Sequence, residues 1–239
     1  MKKRIIFLVF GLILAVISLT WAQEKPRIGV LRFTNQTSAG WWSGSVGTEL
    51  QDMLASELAS TKAFQVLERK EINAVMGEQD LGASGRIDPS TRAKIGRIKG
   101  AKYLVSGTVS SFDENTSGLG GGIGIMGFTI GGSKGTAYMA VDLKVIDTET
   151  GEIVDNRTVE ATSEQTGLSF GGGYGGIYGS LGKHEKTPVG KAIRACIIEI
   201  SEYLECSLTK GKNDSCMQAY AAKESKRRDK TKKSIKLDE

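Results

Sequence analysis

From Tyr138 to Val145 apolar and polar residues alternate, with Met139, Val141, Leu143 and Val145 on one face and Tyr138, Ala140, Asp142 and Lys144 on the other. A period of two predicts a half-buried sheet strand. Asp147 to Glu152 supplies turn residues, with Gly151 able to take positive φ, and Ile153 to Glu164 returns as a second strand. The pattern predicts a hairpin over residues 136–158 as the fixed centre of the chain.

The remaining periodicities build a domain around it. Arg27 to Phe33 reads as a buried first strand through Ile28, Val30, Leu31 and Phe33, followed by a loop over 34–44. Val46, Leu50, Met53, Leu54 and Leu58 fall at helical spacing, which predicts an amphipathic helix over 45–60 with Glu49, Gln51 and Asp52 on its polar face. Phe64 to Leu67 predicts a short second strand, and Glu71 to Gln79 a helix with Ile72, Val75 and Met76 inward. Asp88-Pro89-Ser90 opens a further helix through Ile95 and Ile98, which Gly100 ends. Lys102 to Phe112 is a third strand, and Pro188 starts a last helix whose stripe is Val189, Ile193, Cys196, Ile197, Ile200 and Leu204. That order predicts a compact α/β fold.

Two blocks interrupt it. The chain is one quarter charged, yet Asn115 to Ser133 and Gln165 to Gly182 hold no charge, and 17 of the 31 glycines lie in or beside them. Glycine costs a helix about 1 kcal/mol against alanine, so a membrane-spanning helix is excluded there. A membrane strand needs roughly 9–11 tilted residues, so each block is long enough for one hairpin that crosses and returns. Its apolar members would be Ile123, Ile125, Met126, Phe128 and Ile130 in the first block and Leu168, Phe170, Tyr174, Ile177, Tyr178 and Leu181 in the second. Flexible glycine-rich loops are the other reading. The matched lengths of the two blocks on one hairpin favour paired excursions, over about 113–135 and 164–186.

Lys2, Lys3 and Arg4 precede an apolar run from Ile5 to Leu19 and then Thr20-Trp21-Ala22-Gln23, the pattern of a secretory signal peptide over 1–22. A domain over 23–208 and a basic tail over 209–239 follow. The net charge of +5 resides in the signal and the tail. The body is near neutral, so a nucleic-acid surface is not indicated. The tail reads as a solvated, disordered end, with contact to acidic lipid head groups as the sharper alternative.

Catalytic constellations are missing from the pattern. His184 is the only histidine, beside Lys183 and Lys186. Gly122-Ile-Gly-Ile-Met-Gly127 matches the dinucleotide fingerprint in letters, but Phe128, Thr129 and Ile130 continue as strand where that motif needs a helix. No catalytic, cofactor or metal set is read, and the expectation is a non-enzyme. Cys206 and Cys216 could close a disulfide in an oxidising compartment, with Cys196 in the last helix; three free thiols are the alternative. Trp41-Trp42 stands out as an exposed aromatic pair among small residues. It could cap the domain, pack on a neighbouring subunit, or line a narrow waist where identical subunits each contribute the same loop.

Several stretches together resemble the curli production assembly/transport family, the CsgG-type secretion channels. They are Ile28-Gly-Val-Leu-Arg-Phe-Thr-Asn35, Phe64-Gln-Val-Leu-Glu-Arg69, Gly100-Ala-Lys-Tyr-Leu-Val-Ser-Gly107 and Val141-Asp-Leu-Lys-Val-Ile-Asp-Thr-Glu-Thr-Gly-Glu152. The resemblance implies a periplasmic α/β domain whose two long β-hairpins join those of identical subunits in one outer-membrane barrel, a nonamer. It implies export of unfolded amyloid subunits without nucleotide, and a constriction formed by the loop before the first long helix, carried here by Trp41, Trp42 and Thr37. The chain departs from the family member compared in lacking a lipid cysteine and an N-terminal arm. Relatives of the same domain type are soluble periplasmic activators of cell-wall synthases, which gives the second functional expectation.

Overall fold

The computed structural model describes residues 24–118, 123–125, 128–130, 132–168 and 187–234. The signal peptide, His184 and the hairpin residues Met126, Phe170, Tyr174, Ile177, Tyr178 and Leu181 lie outside them. The described elements are β1 (Arg27–Val30), β2 (Thr34–Asn35), α1 (Val46–Thr61), β3 (Gln65–Leu67), α2 (Ile72–Ala83), β4 (Tyr103–Gly118), β5 (Ile123–Ile125), β6 (Phe128–Ile130), β7 (Gly132–Asp147), β8 (Ile153–Leu168), α3 (Pro188–Thr209) and α4 (Ser215–Ser234). The fold is mixed α/β, with a central sheet and four helices.

The sheet runs β3-β1-β4-β7-β8, with β2 prolonging the line of β1 along β4. β1 pairs in parallel with β3 and β4, while β7 is antiparallel to both β4 and β8. The alternation around Met139 is realised as expected: Met139, Val141, Leu143 and Val145 are buried. Gly151 takes φ +74° in the turn, where the Asp147 carboxylate accepts from the Glu149 and Thr150 amides.

Against this face pack Val46, Leu50, Leu54 and Leu58 of α1 and the predicted stripe of α3. Each fully buried aliphatic contributes roughly 1.5–3 kcal/mol relative to exposure. The Thr187 hydroxyl accepts from the Gly190 amide and Pro188 occupies the first turn, so α3 begins where the sequence placed it. No helix among the described residues is long and apolar enough to cross a membrane.

Several expectations are corrected. The first strand breaks after Val30, because the Phe33 amide leaves the sheet to donate to the Gly47 carbonyl. The Phe33 ring then lies where a Cβ on Gly107 would be. Gln51, expected on a polar face, is buried and donates through Nε2 to the Val30 carbonyl at 2.7 Å.

The Asp88 segment makes one turn and no helix. The Asp88 carboxylate accepts from Ser90, its carbonyl accepts from the Thr91 and Arg92 amides, and Gly96 at φ +79° ends any helical path. Ile95 and Ile98 are exposed as a result, and so are Val75 and Met76 on α2, where the pattern demanded burial. The C-terminal tail, expected to be disordered, forms α4 over twenty residues.

The first uncharged block is strand wherever it is described. β4 pairs with β7 as far as Gly118–Ser133, and β5 pairs with β6 in a second small hairpin. In the other direction β8 keeps its pairing with β7 to Leu168–Gly132. The long strands thus leave the core without interruption.

Candidate functional site

Two constructions outside the core carry functional interest: the loop between β2 and α1, and the clasp that α4 forms on β8.

Asn35 shapes the loop. Its carboxamide oxygen accepts from the Thr37 amide and hydroxyl at 2.9 and 2.8 Å, and its Nδ2 donates to the Thr37 carbonyl at 3.0 Å. The Thr37 hydroxyl also accepts from the Ala39 amide. Thr37 is therefore occupied within the loop, folding it tightly. The Gln36 amide donates to the Val109 carbonyl, which fixes the loop to β4.

Trp41 is not the exposed residue that its neighbours in sequence suggested. It is 9% exposed and belongs to the core cluster. It meets Trp42 edge-on at 5.7 Å and Phe112 at 5.4 Å between ring centroids. Its buried indole nitrogen has no hydrogen-bond partner, and Trp42 is half-buried. Phe112 was not foreseen as part of this set. The register of β4 shifts between Val109 and Ser111, and that irregularity brings Phe112 opposite the buried Met139. An unbroken alternation would have put it on the other face. The aromatic trio joins the loop to the strand just where β4 leaves the core.

At the other edge, Cys206 of α3 and Cys216 of α4 form a disulfide, while Cys196 is free and buried, its thiol donating to the Met139 carbonyl at 3.8 Å. Burial pushes the Cys196 thiol up to about 12. The rings of Tyr203 and Tyr220 meet edge-on at 5.1 Å, and the Arg157 guanidinium lies beside both, 4.9 and 4.8 Å from their centroids, and donates to the Tyr220 carbonyl at 3.1 Å. Tyr203 donates to Asp155 at 2.7 Å; burial, then that carboxylate, raise its phenol above the ordinary range.

Further along, Arg227 and Arg228 hold Glu224 at 2.7 Å, and the Arg227 bond leads the causes that drive this carboxyl down to about 2. Arg227 also reaches Glu160 at 3.7 Å. A cleft of about 480 Å³ lies between this helix and the β7–β8 ribbon, with Lys144, Asn156, Arg157, Tyr203 and Glu224 on its walls. Among the described residues no group of three or more His, Cys, Asp or Glu is placed to hold a metal ion. Of the glycine fingerprint only Ile123–Ile125 is described, as β5, and Phe128–Ile130 beyond it is strand β6 where the motif would need a helix.

The model of a family described as "Curli production assembly/transport component CsgG" matches residues 12–235. A protein of Neisseria meningitidis serogroup B named "Putative lipoprotein NMB1126/NMB1164" is 32% identical over 130 residues, 53% of this chain and 52% of that protein. The chain thus matches about half the length of that relative. Among solved structures, the hypothetical protein CT253 from Chlamydia trachomatis aligns at TM-score 0.45 and 15% identity, covering 77% of this chain and 98% of that one. The PelC dodecamer from Paraburkholderia phytofirmans aligns at TM-score 0.35 and 14% identity, covering 75% and 87%. The LpoB C-terminal domain from Salmonella enterica aligns at 0.31 and 16%, covering 63% and 92%.

Proposed function

The chain belongs to the CsgG family of curli production assembly/transport components, and from that membership we propose that it is a subunit of a homo-oligomeric outer-membrane channel that passes unfolded, curli-like polypeptides without nucleotide. The observation that carries this reading is the continuity of β4, β7 and β8. Each has 16 residues, roughly 50 Å of strand, and each begins or ends in the core and runs into an uncharged block. A bilayer core is about 30 Å thick. Strands in lipid must pair on both edges, and two hairpins from one subunit cannot close a barrel, so copies must join. Ile123, Ile125, Met126, Phe128 and Ile130, with Leu168, Phe170, Tyr174, Ile177, Tyr178 and Leu181, are the lipid-facing candidates. The loop bearing Thr37, Trp41 and Trp42 would ring the lumen, Trp42 facing it and Trp41 anchoring it.

Planar-bilayer recording tests this. Purified protein should give discrete conductance steps that change with Trp42→Ala; an electrically silent bilayer at all voltages overturns the channel. A second reading, a soluble periplasmic adaptor for envelope assembly, is favoured by one observation: Trp41 packs into its own domain and leaves the loop a mostly small, polar surface. It predicts recovery in the aqueous fraction without detergent, together with a cell-wall synthase on pull-down.

A further inference from the structure

Two sets of large apolar side chains are exposed. Ile98 (40%) lies in the segment that Lys99 ties to β3, with Ile95 (63%) just before it and Val75 (41%) and Met76 (44%) on the helix that follows β3 in the chain, while Ile153 (56%) and Val154 (49%) lie on the edge strand β8. The first set is the one whose spacing called for burial. α2 has twelve residues and only Gly82 buried, against Arg92 and Ala93. A helix that short is marginal without a packed face. Among the described residues nothing covers Val75 or Met76.

Position and charge point to an occupant. Lys99 donates to Gln65 of β3, its carbonyl accepts from Arg69, and the Gly100 carbonyl accepts from Arg27, so the segment before β4 lies at the start of β1 and β3. The β7–β8 turn is at the same end, because the Thr148 hydroxyl donates to the Ala101 carbonyl. Ile98 on one edge, with Ile95 just before it in the chain, and Ile153 and Val154 on the other therefore lie toward the same end of the sheet. Four strand spacings, roughly 19 Å, keep them apart within one subunit.

Ile95 and Ile98 are interleaved with exposed Arg92, Lys94, Arg97 and Lys99, whereas Ile153 and Val154 follow exposed Glu149 and Glu152. The basic run of α4 begins after Tyr220, which sits at Arg157, and so lies further toward the hairpins.

We propose that the occupant is a second copy of this chain, with Ile95 and Ile98 of one subunit packed on Ile153 and Val154 of the next and the flanking cations facing Glu149 and Glu152. A contact between opposite edges is head-to-tail, repeats from copy to copy, and closes as a ring when the rotation permits. This rests on the oligomeric reading above and names its subunit contact.

The test uses the full chain extracted from membranes. Oxidation of the double variant Ile98→Cys with Val154→Cys should give a ladder of multimers on a non-reducing gel, and a mixture of the two single variants should stop at dimers. Arg97→Glu should raise the concentration for half-assembly by about tenfold, and Glu152→Lys in the same chain should restore it. A ring by sedimentation without ladder or charge effect overturns this contact and leaves the channel standing. Ile98→Cys linking to itself overturns it in favour of a two-fold pair. A monomer under all extraction conditions overturns the contact and the ring together.

Discussion

Trp41 and Trp42 are adjacent letters with different work. Trp41→Ala empties a buried site shared with Phe112 and should cost about 3–5 kcal/mol in urea denaturation. Trp42→Ala should cost less than that, and in the proposed channel it should act chiefly on conductance. Sequence could mark the pair as unusual but could not separate its members, because the deciding neighbour, Phe112, is distant in the chain and turned inward by an irregularity in β4. Glu224 gives a pH prediction. Its carboxyl titrates near 2 when folded, below its ordinary value of 4.5, so its contribution to stability is present above pH 4.5 and is lost as pH falls toward 2. Hydrogen exchange along α4 should quicken over that acid window, and Glu224→Gln should remove most of the pH dependence.

At the scale of elements, local pattern was legible wherever one face meets the core. The β7–β8 hairpin, α1 and α3 follow directly from alternation and from helical spacing. Besides the exposed face of α2, the early end of β1 and the buried Gln51, it failed in two places. Around Asp88 the helix signal of Asp-Pro-Ser was satisfied by a single turn, and Gly96 then took a left-handed conformation. In the tail, composition pointed to a hydrated end, but α4 is anchored at Cys216, Met217 and Tyr220 and carries the Glu224–Arg227 and Glu224–Arg228 pairs along its length.

That anchoring yields a redox prediction. Reducing Cys206–Cys216, or replacing both with Ser, should loosen α4 by about 2–4 kcal/mol. Exchange in the β7–β8 ribbon should change little, and Cys196 should stay unlabelled by alkylating reagents under native conditions. Gly107 offers a packing test. Gly107→Val places a branched side chain in the space of the Phe33 ring and should destabilise by about 1–3 kcal/mol or more, read as a lower thermal midpoint.

For the whole molecule, the sequence predicted an α/β body, which the structure shows, and two uncharged excursions, of which the first is strand in its described part. The ring was expected from the family resemblance alone, and no residue pattern marked a contact surface for it; Val75 and Ile98 carry a spacing that asks for burial, yet both are exposed in the described chain. Cell fractionation is the broad check. A barrel subunit should remain with outer membrane after a high-salt wash, whereas attachment through the cations of α4 alone should be stripped, since salt screens exposed charge within about 10 Å at 0.1 M.

One mechanical consequence follows from strands shared between body and excursion. β4 and β7 stay hydrogen-bonded from Tyr103–Asp147 to Gly118–Ser133 with one irregularity and no intervening joint. A pull along the strands at the far end would therefore load the pairings with β1 and β8 in shear, as a key carries the turn of a hand into a lock. A load on the tips would register as strain around Phe112, and a spectroscopic label placed there could sense it.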